Sequence, residues 1–197
     1  MPKVTAEHRA ARRDEILDAA LRAFSEKGFQ RTSMADIISE SGLSAGAIYG
    51  HFTGKRDLVA AVAARTLEAR RSELLARRAD DGRPLSPGEV MATIVDGMRH
   101  EGFSRILLQL WAEAAIDHEI RELVQGVLVR LRETLRTQLV EWGEANADRI
   151  DGDPEAWAAR LTPVLIALGP GFVVQRQLVD GFDEDAYLAA LPEALPH

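Results

Sequence analysis

The stretch Thr32-Ser33-Met34-Ala35-Asp36-Ile37-Ile38-Ser39-Glu40-Ser41-Gly42-Leu43-Ser44-Ala45-Gly46-Ala47-Ile48-Tyr49-Gly50-His51-Phe52, within the span 31–55, reads as two short helices around a glycine turn. Ser33 stands where an N-cap hydroxyl accepts an orphan amide, and Asp36 stands where a capping-box acid and the helix dipole want a carboxylate. Gly42 suits a left-handed C-terminal cap, which lets Leu43 turn inward before Ser44 caps the next helix. Ile37, Ile38, Leu43, Ile48 and Phe52 supply a small apolar core and leave Ala45, Gly46, Tyr49 and Gly50 on the opposite face. This is the format of a helix-turn-helix, whose second helix enters a DNA major groove.

Working outward, Ile16, Leu17, Ala20, Leu21 and Phe24 recur at three- and four-residue spacing, which predicts an amphipathic helix over 7–27 ending at Gly28. Lys55-Arg56-Asp57 opens a long helix with Leu58, Val59, Val62, Leu67 and Leu74 along one side, running to about Arg78. At ~1.5 Å per residue it spans on the order of 35 Å, enough to join a DNA-binding head to a separate body. The loop 79–84 then marks the body's start, and Ser86-Pro87-Gly88-Glu89 reads as a capping box with proline at the first helical position. Asp153-Pro154 and Asp183-Glu184-Asp185 are further starts, Gly181 and Pro192 stops. Helical spacing fills 87–100, 103–116, 119–147, 154–180 and 184–191, so the expected fold is all-α. Pro163 and Gly169-Pro170-Gly171 interrupt the fourth of these spans and predict kinks that could shape a pocket.

The chain of 197 residues has no cysteine, hence no disulfide and no thiolate metal site. Its polar, arginine-rich start and the lack of an apolar run approaching ~18 residues predict a cytoplasmic protein with no membrane partner. Net charge is −7, yet residues 1–60 carry nine Lys/Arg against eight Asp/Glu while the remainder carries fifteen against twenty-three. The acid belongs to the body, so phosphate contacts should be few and local, and tight DNA binding would need two heads. His8, His51, His100, His118 and His197 are scattered, and no zinc spacing, phosphate loop or dinucleotide fingerprint occurs; an enzyme, a metal and a cofactor are not expected.

The string Gly28-Phe29, Thr32-Ser33-Met34, Ile37, Gly42-Leu43-Ser44, Ile48-Tyr49-Gly50-His51-Phe52, Lys55 and Leu58 resembles the head of the TetR family of transcriptional regulators, with the likeness concentrated over Ile16 to Val62. Beyond residue 80 the chain is similar only to the family's general helical plan. The resemblance implies a three-helix DNA-binding head (1–54), a connecting helix (55–78) and an effector-binding and dimerisation body (79–197). It further implies a homodimeric repressor on palindromic double-stranded operator DNA, released by a small-molecule effector. An activator, or a regulator without an effector, is the alternative within DNA binding; a helical enzyme or ligand-sequestering protein is the alternative outside it.

By that resemblance Tyr49, His51, Lys55 and the helix-opening Ser44 are expected on DNA phosphates, as donors of that chemistry suit. Arg31, Thr32, Ser33, Ala45 and Gly46 complete the expected DNA surface. Gly46 and Gly50 occupy positions where many relatives carry long polar side chains; either they permit close backbone approach, or base reading shifts to the Ala45 and Ala47 methyls, Thr32, Ser44, Arg31 and DNA shape. Arg9, Arg12 and Arg13 either reach a minor groove or form a solvated helix end. Met91, Met98, Phe103, Leu107, Trp111, Phe172 and Gln175 are expected around an effector pocket, with Gln109 a further polar candidate. Trp157, Leu161, Leu165, Leu168 and Leu178 are expected along the dimer seam.

Overall fold

The computed structural model describes residues 6–100 and 103–196, apart from the side chains of 78–81, 100 and 103. Among these residues the chain forms α1 Ala6–Lys27, α2 Met34–Ser41, α3 Ala45–Tyr49, α4 Lys55–Asp81, α5 Pro87–His100, α6 Phe103–Ala114, α7 His118–Ala145, α8 Pro154–Leu178 and α9 Glu184–Ala194, with a 3-10 turn at Ala147–Arg149 and no strand.

Local chemistry sets the helix ends. Ser33 Oγ accepts from the Asp36 amide at 3.2 Å while Asp36 Oδ2 accepts from the Ser33 amide at 2.8 Å, closing the capping box. Gly42, at φ +66°, reverses the chain after α2, and Ser44 Oγ accepts from the Ala47 amide at 3.2 Å. Asp153 and Asp183 cap α8 and α9 as their positions predict. Asp117 caps α7, a start one residue earlier than the apolar spacing shows.

Several boundaries differ from those the sequence predicts, and α7 and α8 each end two residues early, at Ala145 and Leu178. The α4 helix continues to Asp81, so the connection to α5 shrinks to residues 82–86. The α6 helix stops at Ala114. The α9 helix runs through Pro192, because one lost amide bond in the final turn is offset by packing on α5. That packing is close: a β-carbon on Gly88 would stand 2.5 Å from Pro192 Cα.

Contrary to the sequence expectation of no such run, the α8 helix is long and apolar enough by length and composition to cross a membrane. Its buried residues Ala158, Thr162, Leu165, Gly169, Phe172 and Val173 recur at three- and four-residue steps, so one face of the helix enters the body's core.

The apolar side chains gather into two cores. The first contains Ile16, Phe24, Ile37, Ile48 and Phe52 from the head and Leu58 and Val62 from the start of α4, but also Ile106, Leu110 and Ala114 from α6 and Ile120 from α7. The head is therefore not closed at residue 54; α6 and α7 complete it. The second core joins Leu74, Val90, Val95, Leu135, Leu139, Leu165 and Phe172 of α4, α5, α7 and α8.

The α5 cap carries a charge device that the sequence shows only in part. Arg83 Nη1 and Nη2 donate to the two oxygens of Glu89 at 2.8 and 2.6 Å, and the Ser86 amide donates to Glu89 Oε2 at 2.8 Å. The Arg83 guanidinium, aided by Ser86 and opposed by burial, holds the Glu89 carboxyl down at about 2. Because the folded value is depressed, this stabilisation is present above the ordinary glutamate value of 4.5 and is lost as pH falls towards about 2. Glu89→Gln should cost about 1 kcal/mol at pH 7, the scale of a helix cap. Urea midpoints at pH 7 and pH 3 should show the gap between wild type and variant narrowing at the lower pH.

Candidate DNA-binding surface and enclosed cavity

The second helix of the motif turns Ile48 and, just beyond it, Phe52 into the head core, at 0% and 1% exposure, and leaves Ser44, Ala45, Gly46 and Tyr49 outside. Gly46 faces open space, so a side chain there meets nothing. Gly50 is the C-cap of α3, its amide donating to the Gly46 carbonyl at 3.0 Å, and so ends the helix instead of lying within its groove-facing interior. The exposed face offers methyls, backbone, the Ser44 hydroxyl and the Tyr49 phenol.

The start of α1 comes to the end of this helix. Arg13 Cζ lies 4.4 Å above the Phe52 ring, and burial, followed by the nearby charges of Arg9, Arg13 and Arg12, lowers the His51 pKa. Both effects favour the neutral imidazole of His51, which keeps one N–H to donate. Arg9, Arg12 and Arg13 form a local positive edge beside the motif that the near-neutral charge of the head conceals.

Several expected DNA contacts turn inward. Thr32 is 2% exposed, and its hydroxyl donates to the Gly28 carbonyl at 2.7 Å, with Ala23 O at 3.2 Å. Ser33 Oγ donates to Asp36 Oδ2 at 2.6 Å; Lys27 at 2.5 Å, with Ser33, holds the Asp36 carboxyl well below the usual range. Arg31 is exposed, with Nε donating to the Lys27 carbonyl at 2.9 Å. Lys55 departs furthest from expectation: its ammonium donates to the Phe29 and Gln30 carbonyls at 2.9 and 3.2 Å and sits 4.5 Å above the Phe29 ring. Burial, then the charge of Arg56, lowers its pKa. It ties the start of α4 to the turn between α1 and α2.

A second tie comes from α6. The Phe29 amide donates to Gln109 Oε1 at 2.8 Å, and the amide group fits there because Gly28, at φ +79°, has no side chain; a β-carbon would lie 2.7 Å from that oxygen. Gln109 therefore serves the joint between head and body, not the pocket. Arg56 pairs with Asp117 at 2.8 Å and with Glu119, a third tie across the same joint. No sequence pattern marks partners separated by 80 and 61 residues.

Behind this joint α4 to α8 surround a partly open cavity of about 120 Å³. Met91, Met98, Leu107 and Trp111, four of the residues expected around an effector pocket, line this cavity. Phe172 instead packs against Phe182 and Tyr187 with ring centroids 5.8 and 5.3 Å away, and the Gln175 amide donates to the Gly171 carbonyl at 3.4 Å; neither lines the cavity. The Phe103 side chain lies outside the described residues. Ile166, Gly169 and Pro170 bring the interrupted part of α8 to the wall. The sequence reading missed Arg70 of α4 and the α7 stripe Leu123, Val127 and Leu131, whose four-residue spacing was legible but whose direction was not.

Of the expected seam residues, only Leu178 faces outward strongly, at 73% exposure. Leu165 is fully buried, Trp157 stacks on Trp142 at 5.5 Å, and Leu161 and Leu168 pack on the body core. The outward apolar residues of α8 and its end are Val164, Val174, Leu178 and Val179. Among the described residues no group of three or more histidines or acids is placed to hold a metal.

The model of bacterial regulatory proteins of the tetR family matches residues 16–62, and that of the BetI-type transcriptional repressor C-terminal domain matches 89–197. An uncharacterized HTH-type transcriptional regulator, YfiR of Bacillus subtilis, is 46% identical over 57 residues, covering 29% of this chain and 28% of that one. The chain matches about a quarter to a half of the length of its first curated relatives. A putative TetR-family regulator from Syntrophomonas wolfei superposes with a TM-score of 0.74 at 18% identity, over 94% of this chain and 93% of the other. A putative transcriptional regulator from Saccharomonospora viridis, solved in complex with choline, gives a TM-score of 0.66 at 21% identity, over 93% and 95%. The body match alone spans more than half the chain and stands after a matched helix-turn-helix head, so this protein belongs to the TetR family of transcriptional regulators and is a DNA-binding protein, not an enzyme.

Proposed function

We propose that the protein is a homodimeric repressor that binds a palindromic operator in cytoplasmic double-stranded DNA and is released by a small molecule in the cavity between α4 and α8. The observation that carries this reading is the path of α4. Its first residue, Lys55, is bonded to the head, and Ala63, Thr66, Leu67 and Arg70 of the same helix line the cavity. The α6 helix repeats the arrangement, with Gln109 on the head and Leu107, Leu110 and Trp111 on the cavity. A ligand that repositions either helix moves the head. It changes DNA affinity only if it binds the DNA-incompetent arrangement more tightly.

Dimerisation follows from the limited charge of one head and from the outward apolar face of α8. Val164→Asp with Leu178→Asp should convert the dimer to monomer in sedimentation velocity and abolish operator binding; an intact dimer would place the seam elsewhere. The function itself is tested by selecting bound fragments of the source genome and titrating the recovered site. Two chains per palindrome are expected, and one chain per site would overturn the reading.

The placement of charge separates two sets of side chains. Arg9→Ala should reduce the salt slope of operator binding by about one unit. Lys55→Met should leave that slope unchanged while lowering the melting temperature, because its ammonium serves carbonyls. Anisotropy titrations at several salt concentrations, with thermal melts, check both.

Gly46 stands in open space on the groove-facing side, so Gly46→Arg should fold normally and add a guanine preference worth about 1–3 kcal/mol. Selection from a randomised half-site by wild type and variant measures this. Loss of all binding by a folded variant would show that the glycine serves close backbone approach.

A further inference from the structure

The cavity is walled by hydrocarbon, and Arg70 is the one titratable side chain among its described lining residues. Among the described lining residues a cationic ligand would find no carboxylate and a single aromatic ring, Trp111, where a cage needs several. The guanidinium is seated deliberately. It lies across Gly97 of α5, where a β-carbon would come within 2.8 Å of Cζ, so a side chain there would push the guanidinium aside. Glu73, one turn further along α4, accepts from Arg70 Nη1 at 2.7 Å from the more exposed side. A guanidinium carries five N–H groups in a planar fork, so a carboxylate can share it with Glu73.

Resting on the ligand-responsive reading above, we infer that the effector is a small apolar monocarboxylate, its hydrocarbon body in the cavity and its carboxylate on Arg70. The cavity of about 120 Å³ is close to the ~150 Å³ dry cavity that accepts benzene, which sets the body at about one ring. Met91 and Met98 on the wall can adapt to substituents on such a ring. Because Arg70 belongs to α4, the anion acts on the helix that starts at the head.

The test uses three probes of nearly one shape: benzoate, benzyl alcohol and benzylamine. Calorimetry and operator-release anisotropy are run on the full-length protein, Arg70→Met and Gly97→Ala. Wild type should bind benzoate at least about tenfold more tightly than benzyl alcohol, with benzylamine weakest, and operator release should follow the same order. Arg70→Met should erase the benzoate advantage and leave benzyl alcohol within about twofold. Gly97→Ala, a helix-favouring change on another helix, should act in the same direction by unseating the guanidinium, and it carries the test if Arg70→Met does not fold. Equal or tighter binding of the alcohol or amine by wild type overturns the charge assignment and leaves the ligand-responsive reading standing. A benzoate preference that survives in both variants removes Arg70 from the site. If none of the three binds, the assignment falls, and the ligand-responsive reading falls with it once a thermal-shift screen of apolar compounds also finds no ligand.

Discussion

The head of this regulator cannot close its own core, and the rest of the architecture follows from that. Three helices in about fifty residues bury so small a fraction of their surface that a lone head is marginal. Ile106, Leu110, Ala114 and Ile120 supply the missing wall, each almost or fully buried among head residues. A buried isoleucine or leucine contributes about 1.5–3 kcal/mol, so separating head from body exposes a substantial part of what holds the head together. The orientation of the DNA-binding surface is therefore bound to the position of α6.

Polar ties refine what the shared core fixes. Lys55, Arg56 and Gln109 reach the same small region around the end of α1 and the start of α4, and each uses a partner that packing has already brought near. Glycine makes the closest approaches possible. Gly28 admits the Gln109 amide, Gly97 admits the Arg70 guanidinium, and Gly88 admits the backbone of α9. In each case a missing methyl group sets an interhelical distance, which in turn decides where a polar side chain can lie.

Charge is distributed in the same economical way. The chain as a whole repels DNA, with a net charge of −7, while three arginines beside His51 concentrate positive potential at the motif's edge. Acidic side chains near the motif are held by lysine or arginine partners: Asp36 by Lys27 and Glu40 by Arg22. Screening at physiological salt over about 8 Å then leaves the local edge to govern contact with phosphate.

Local rules in the sequence determined the elements. Ser33, Gly42, Ser44, Ser86, Asp153 and Asp183 each act through neighbours within a few residues, so their caps were readable without a fold, and helical periodicity separated buried from exposed positions on most helices. The all-helical class and the helix-turn-helix were legible for that reason. The tertiary structure alone decided direction and partnership. Thr32 and Lys55 have side chains suited to phosphate, yet nearby carbonyls claim them. Leu165 and Leu178 lie on one apolar helix, yet one is buried and the other exposed, because only the placement of α7 and α5 says which face is inside. Gln109 and Arg70 gained their roles from glycines 81 and 27 residues away in the chain, Gly28 and Gly97, which meet them only after packing. Sequence spacing encodes contacts along a helix, whereas contacts between helices depend on crossing geometry, which no single helix contains.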